Sequence, residues 1–240
     1  MMKVFYFGLV GFYTFLFAFY LWGKEHKVQF NYPSRNIYPL FGLDASHHQG
    51  EIRWDEVDSE KFKFIYLKAT EGETFQDKRF IRNYEGAKSA GLKVGAYHFW
   101  SFCKDPYKQI QNIISTVPRS SGDLVPALDM ETIQKCEFPS FEDEKKAIRS
   151  HSKIALEELS FQFGSPPVIY TTMDFLSQHR ELQEYDTQYW VRSLVGPPFL
   201  DKIDWLIWQY HNSGSIKGVY GPVDFNVIKE KSGLKFISQP

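Results

Sequence analysis

Two carboxylate side chains stand two residues apart at the end of an apolar run in the middle of the chain. The run Leu124–Met130 is typical of a buried strand, and Asp129 and Glu131 lie at its end. Because side chains alternate along a strand, Asp129 and Glu131 share one face and Met130 points to the other. This spacing is typical of a hydrolase that works with paired carboxyl groups.

Two more acids occupy similar places in the sequence. Asp44 follows the apolar residues Phe41–Leu43, and Asp224 lies in the short run Pro222–Phe225. A buried carboxylate costs several kcal/mol unless it is paired or hydrogen-bonded. A fold that brings several such acids together is therefore expected to use them in its chemistry. The alternative, that an Asp caps a helix or satisfies a loop, is common for each residue taken alone.

The chain alternates between strand-like and helical patterns. Apolar runs predict eight strands, over residues 41–46, 64–69, 94–99, 124–130, 168–171, 189–192, 205–210 and 223–227. Helical spacing predicts helices over Asp77–Ala90 and Glu142–Phe163, whereas the connections between the last three strands are short and rich in Pro or Gly. Strand–helix–strand units form parallel sheets, and eight strands can close into a barrel. We therefore predict an α/β fold over residues 41–240, an irregular TIM-like barrel with fewer than eight helices.

A barrel of this kind places its active site at the carboxyl ends of the strands, where all four acids are predicted to fall. The first and eighth strands are neighbours in a closed barrel. Asp44 and Asp224 should therefore lie side by side, with Asp129 and Glu131 across the mouth.

Aromatic residues near the predicted strand ends are candidates for stacking on a sugar, although barrel packing explains each of them equally well. They are Tyr97, Tyr170, Trp190, Trp208 and Tyr210. Gln209 is a further candidate contact. Because Gln209 alternates with Trp208, at most one of the two points into the mouth.

Composition sets limits on function. The 240 residues carry a net charge of −1, so they lack the basic footprint of a nucleic-acid-binding protein. The hydrophobic share of 43% suits one domain of about 200 residues plus an appendage. The aromatic share of 18% exceeds what a core alone normally needs, and sugars stack on such rings. We expect a monomer.

The N-terminus contains a long uncharged apolar segment, Val4–Trp22. At about 1.5 Å per residue, such a helix approaches the ~30 Å thickness of the hydrocarbon layer. We predict an N-terminal hydrophobic helix that acts as a transmembrane signal-anchor over residues 1–23, followed by a polar linker over residues 24–40. A cleaved signal peptide is the less favoured alternative, because bulky Tyr20–Trp22 stands where small residues are expected.

Two cysteines and a pair of adjacent histidines are candidates for metal or redox chemistry. Cys103 and Cys136 fit no metal spacing. They follow predicted neighbouring strands, so a disulfide is an option in an exported protein, but the default expectation is two free thiols. His47 and His48 are adjacent and would face opposite ways on a strand. We therefore predict no metal and no cofactor.

Several motifs together resemble glycoside hydrolase family 25, the lysozyme family that includes fungal and phage muramidases. The likeness covers roughly residues 41–228, in order and with the expected spacing. It is carried by residues 41–50 (FGLDASHHQG), 64–72 (FIYLKATEG), 87–99 (AKSAGLKVGAYHF), 128–131 (LDME), 208–210 (WQY) and 221–226 (GPVDFN).

The resemblance implies a barrel of eight strands with fewer helices. It also implies hydrolysis of the β-1,4 bond between N-acetylmuramic acid and N-acetylglucosamine in peptidoglycan glycan strands. The essential acids would be Asp44, Asp129, Glu131 and Asp224, with Glu131 as the proton donor. Because peptidoglycan lies outside the inner membrane, the catalytic domain should face the periplasm or the cell exterior, tethered through residues 4–22.

The sixth predicted strand departs from the family pattern. It reads Tyr-Trp-Val-Arg-Ser over residues 189–193, where the family usually has small or apolar residues and Ala after the Trp. Arg192 is therefore expected to change sugar or peptide contacts in one subsite.

Two questions stay open, one about the function and one about the mechanism. A chitinase-like glycosidase and a non-catalytic, envelope-anchored glycan-binding barrel are the alternative functions. The retained acids argue against the second, and the residues before Asp129 do not form the acidic motif of chitinases. In the mechanism, the substrate's own 2-acetamido group or a water molecule directly could attack the sugar, and the spacing of Asp129 and Glu131 favours the first.

Overall fold

A computed structural model describes residues 32–132, 136–200, 203 and 205–229, together with Thr14 and Phe236. Residues Pro33–Pro240 form one compact unit, and residues 1–32 are assigned to another. Apart from Thr14, the predicted membrane segment Val4–Trp22 lies outside the described residues. Within the part of the chain that is described, no helix is long and apolar enough to cross a bilayer.

The described residues form a closed barrel. Its strands are β1 Leu40–Ala45, β2 Phe62–Glu71, β3 Phe75–Gln76, β4 Lys93–Phe99, β5 Ala127–Asp129, β6 Val168–Thr172, β7 Tyr189–Arg192, β8 Trp205–Gly214 and β9 Val223–Ile228. The order in the sheet is β1-β9-β8-β7-β6-β5-β4-β2-β3, and pairing of β1 with β2 closes the ring. The two-residue β3 pairs only with β2. The predicted eight-stranded barrel is therefore confirmed, with β3 as an addition.

Helices surround the barrel unevenly. They are α1 Phe80–Ser89, α2 Pro106–Thr116, α3 Phe141–Phe163 and α4 Met173–Gln178, with 3₁₀ helices at His47–Gln49, Trp54–Glu56 and Arg180–Glu184. The predicted helices correspond to α1 and α3, whereas α2 and α4 were not predicted. Asp105 caps α2 by accepting hydrogen bonds from the amides of Tyr107 and Lys108, with Pro106 at the first position.

The prediction that Asp224 lies at the carboxyl end of a parallel strand was wrong. β9 is antiparallel to both of its neighbours, β1 and β8. A parallel pair needs a crossover of about a dozen residues or more, and residues 215–222 between β8 and β9 are too few. Asp224 therefore lies at the beginning of its strand. Because β9 runs backwards, that beginning reaches the same mouth as the carboxyl ends of the other strands.

Large aromatic rings fill the barrel, and two glycines make room for them. A Cβ at Gly42 would lie 2.4 Å from the ring of Phe64, and a Cβ at Gly95 would lie 2.3 Å from the ring of Tyr66. Both rings are buried inside the barrel. A second apolar cluster contains buried residues of both the strands and the helices and packs the helices against the barrel.

A disulfide joins Cys103 and Cys136, so the default expectation of free thiols was wrong. The two Cα atoms are 5.3 Å apart. Cys103 follows β4 and Cys136 follows β5, and these strands are parallel neighbours whose ends lie together at the mouth. The bond ties the segment after Glu131 to the neighbouring connection.

Replacing both cysteines by serine should lower the free energy of unfolding by about 2–4 kcal/mol, because the unfolded chain regains the freedom of a closed loop. Urea denaturation of the full chain measures this effect. Treatment of the wild type with reducing agent should produce the same loss and leave the double variant unaffected. Equal stability of the two proteins would contradict a stabilising role for the disulfide.

Candidate active site

The four acids converge on one cavity of about 210 Å³ at the mouth of the barrel. The cavity is lined by Asp44, Tyr97, Phe99, Asp129, Glu131, Tyr170, Trp190, Arg192, Gln209 and Asp224. Residues from β1, β4, β5, β6, β7, β8 and β9 contribute. Closure of the barrel therefore brings together groups that are distant in the sequence.

Strand geometry explains where each acid lies. Asp44 of β1 is directly opposite Asp224 of β9 in the antiparallel register, as expected for neighbouring strands. Asp129 ends β5, and Glu131 follows two residues later. Met130 between them is fully buried on the other face, where it contacts Ser152 of α3.

Asp44 lies at the centre of a hydrogen-bonded network. Its Oδ2 atom accepts hydrogen bonds from Gln209 Nε2 and from Asn226 Nδ2, each at 2.8 Å. The Trp190 ring N–H donates to Asn226 Oδ1 at 2.8 Å, and the Tyr170 hydroxyl donates to Gln209 Oε1 at 3.0 Å. Both amide groups are thereby turned so that their NH₂ ends point at Asp44.

Burial raises the pKa values of the Asp44 and Asp224 carboxyls. The pKa of Asp44 rises to about 6, against the opposing effect of hydrogen bonds from Asn226 and Gln209. The pKa of Asp224 rises to about 8, through burial and then through the charge of Asp44. The proton of this pair therefore resides on Asp224, and Asp44 is the anion that the amides stabilise.

The Asp129 and Glu131 carboxyls are also shifted toward the protonated form. Burial and then the charge of Glu131 raise the pKa of Asp129 well above its ordinary value. Burial raises the pKa of Glu131 as well, opposed by the charge of Arg192. Asp129 Oδ1 and Glu131 Oε2 are buried and accept no hydrogen bond from the described residues, which disfavours a charge on them.

The structure separates the six predicted binding residues into two groups. Tyr97, Tyr170, Trp190 and Gln209 line the cavity. Trp208 and Tyr210 do not, and their assignment to the sugar site is corrected.

Alternation along β8 gives the reason. Gln209 faces the cavity, so its neighbours Trp208 and Tyr210 face the outer layer of the core. Trp208 packs 5.5 Å from the ring of Tyr38 and donates its ring N–H to Ser193 O at 2.7 Å. Tyr210 packs edge-on against Phe41.

Two contributors were not identified from the sequence. Phe99 ends β4 and is half-buried at the cavity wall. Asn226 is fully buried beneath Asp44. Alternation along β9 could have identified Asn226, because it lies two residues after Asp224 and so shares its face.

Residues 43–219 match the sequence pattern of one family, described as Glycosyl hydrolases family 25. The chain belongs to this family. It is 32% identical over 199 residues to the Escherichia coli K12 protein YegX, covering 80% of this chain and 70% of YegX. The family 25 enzyme is therefore a glycoside hydrolase.

Solved structures agree with this assignment. A family 25 glycosyl hydrolase from Bacillus anthracis superposes with a TM-score of 0.71 at 30% identity, covering 84% of this chain and 94% of that one. The bacterial lysozyme from Streptomyces coelicolor superposes with a TM-score of 0.70 at 29% identity, covering 80% of this chain and 93% of that one.

Asp224→Asn should stabilise the family 25 enzyme increasingly as the pH rises. The folded pKa of about 8 exceeds the unfolded value of about 4, so the wild type loses stability as the pH rises through that window, and the uncharged Asn does not. Melting temperatures between pH 5 and 9 measure the difference. It should grow up to about pH 8 and then level off.

The exposed Asp55→Asn is the matched control for loss of a surface carboxylate. A difference between wild type and Asp224→Asn that is constant across this pH range would contradict the raised pKa.

Proposed function

We propose that the chain is a muramidase that hydrolyses the β-1,4 bond between N-acetylmuramic acid and N-acetylglucosamine in peptidoglycan. The observation that carries the proposal is the placement of Asp129 and Glu131 together at a cavity that disfavours charge on both. Family membership and the likeness to the Streptomyces coelicolor lysozyme support it. Glycoside hydrolysis needs a protonated carboxyl beside the scissile bond and a second group at the anomeric carbon.

Glu131 acts as the general acid. Its side chain keeps 21% of its surface exposed, whereas Asp129 is 8% exposed, so Glu131 has the better access to an incoming sugar. Burial holds Glu131 protonated at higher pH than an ordinary glutamic acid. Glu131 gives its proton to the leaving glycosidic oxygen and then, as a carboxylate, takes a proton from the water that completes hydrolysis.

Asp129 assists by orienting the substrate. Its buried Oδ1 has no hydrogen-bond donor among the described residues, so the site lacks a partner that an acetamido N–H would supply. With the N–H held there, the acetamido carbonyl oxygen attacks the anomeric carbon as the leaving oxygen takes the proton of Glu131. This is the substrate-assisted variant of the two-carboxyl scheme.

The remaining cavity residues hold the sugar. The Asp44–Asp224 pair offers one charged and one protonated carboxyl to sugar hydroxyls. Tyr97 is half-buried and offers a ring face to the sugar, whereas Trp190 and Tyr170 are almost fully buried and form the floor of the cavity.

Glu131→Gln should lower the hydrolysis rate by about 10²-fold or more, because a positioned acid is lost, while the protein still folds. The assay incubates the full chain with purified peptidoglycan and counts new reducing ends. Mass spectrometry should assign those ends to muramic acid. The exposed Glu158→Gln serves as the matched control and should retain the wild-type rate.

Full activity of Glu131→Gln would remove Glu131 from the mechanism. Cleavage of chitin without muramic-acid ends would favour the chitinase-like alternative. Binding without any product, unchanged in Glu131→Gln, would favour a non-catalytic glycan-binding barrel.

We further propose that residues 4–22 anchor the chain, as a monomer, in the inner membrane with its barrel on the outer side. The uncharged length of Val4–Trp22 supports the membrane anchor. The position of peptidoglycan outside the inner membrane supports the outward orientation of the barrel. The full chain should remain with membranes washed in alkaline carbonate, and deletion of residues 4–22 should release it. Protease should reach the barrel in spheroplasts without detergent. A full chain in the soluble fraction would contradict the anchor.

A further inference from the structure

Arg192 is a cation placed among acids. It ends β7, two residues after Trp190, and therefore shares the cavity face with it. In the register of the sheet it lies opposite Gln209 of β8. Among the residues described at the cavity wall, Arg192 is the one with a permanent positive charge, beside four carboxyl groups.

The guanidinium of Arg192 has hydrogen-bond donors that its one ion pair does not use. A guanidinium carries five N–H donors. The guanidinium forms an ion pair with Glu131 Oε2 at 3.5 Å, and no other side chain among the described residues pairs with it. Its side chain retains 38% of its surface exposure. One edge of the group therefore faces Glu131 while other donors remain available to a ligand.

A guanidinium with donors to spare selects an anion, above all a carboxylate that it can hold through two parallel hydrogen bonds. Neutral sugar hydroxyls do not need such a partner. The two sugars of peptidoglycan differ in this respect, because muramic acid carries a lactyl arm that ends in a carboxyl group. That carboxyl is free in a stripped glycan, whereas in peptide-bearing glycan the stem peptide supplies the carboxylates.

We propose that Arg192 determines specificity by binding a carboxylate carried on the lactyl arm of the muramic acid residue. The inference rests on the proposed muramidase function and assigns a carboxylate of the substrate as the ligand of Arg192. It also explains how an acid-lined cavity admits an anionic sugar, since Arg192 offsets the repulsion from the neighbouring carboxyl groups.

The test compares matched substrates that differ only in charge. The first pair is peptide-free glycan with free lactyl carboxylates and the same glycan converted to neutral methylamides. The second pair is peptide-bearing glycan with its carboxylates free or amidated. For the full chain, the wild-type kcat/KM should favour the charged member of at least one pair by about 10-fold or more, as expected for charge-assisted hydrogen bonds.

Arg192→Ala should bring that ratio close to one, and Arg192→Lys should retain part of it. Arg149→Ala removes an exposed charge outside the cavity and should leave the ratio unchanged. If Arg192→Ala changes the ratio for the peptide-free pair, the ligand of Arg192 is the lactyl carboxylate. If it changes the ratio for the peptide-bearing pair alone, the ligand is a carboxylate of the stem peptide. If Arg192→Ala is too slow to assay, binding of the same glycans to Glu131→Gln, with and without Arg192→Ala, gives the same ratio.

Two failures are distinguishable. A wild type that cleaves charged and neutral glycans equally well, or an unchanged ratio in Arg192→Ala, overturns the role of Arg192 and leaves the muramidase function intact. A wild type that cleaves no muramic-acid glycan overturns the proposed function itself. The pH–rate profile of Arg192→Ala gives a further check. If it shifts equally on all substrates while the charged-to-neutral ratio of kcat/KM stays constant, Arg192 acts only on the pKa of Glu131, which also contradicts the proposal.

Discussion

The structure depends on one constraint: carboxyl groups enclosed in a single, poorly solvated cavity cannot all be ionised. Burial is the largest cause of the raised pKa at Asp44, Asp129, Glu131 and Asp224. Protons must therefore remain in the site near neutral pH. Chemistry that begins with proton donation to a glycosidic oxygen takes advantage of this constraint.

Closure of the barrel brings the carboxyl groups together, and buried polar groups offset part of the free-energy cost of enclosing them. Pairing of β1 with β9 sets Asp44 against Asp224. The cost of the remaining charge on Asp44 is offset by two amide donors, Gln209 and Asn226, each oriented by an aromatic side chain deeper in the barrel. A network in which every member is satisfied fixes one arrangement of the site. Asp129 Oδ1 and Glu131 Oε2 lie outside that network and accept no hydrogen bond from the described residues.

Much of this arrangement follows from the sequence because strands have a period of two. That period alone places Asp129 and Glu131 on one face and Gln209 opposite to Trp208. The period does not determine which of the two faces points inward, so the prediction that Trp208 and Tyr210 contact the sugar fails: both belong to the outer core.

The rest depends on distances that a linear pattern does not contain. The direction of β9 depends on a connection that is too short for a crossover. Formation of the disulfide depends on how close the two loops lie once β4 and β5 pair. Asp105–Pro106 is a signal for the start of α2, but this helix of 11 residues was not among those predicted. Asn226 acquires its role only when Asp44 is brought beside it.

The central claim, that the cavity holds protons which ordinary carboxyl groups would have lost, is tested most directly by carbon-13 NMR titration of the Asp and Glu carboxyls in the full chain. The account predicts that Asp224 titrates near 8 and Asp44 near 6, with Asp129 and Glu131 above their ordinary values. Titration of all four carboxyls near about 4, as in unfolded peptides, would contradict it.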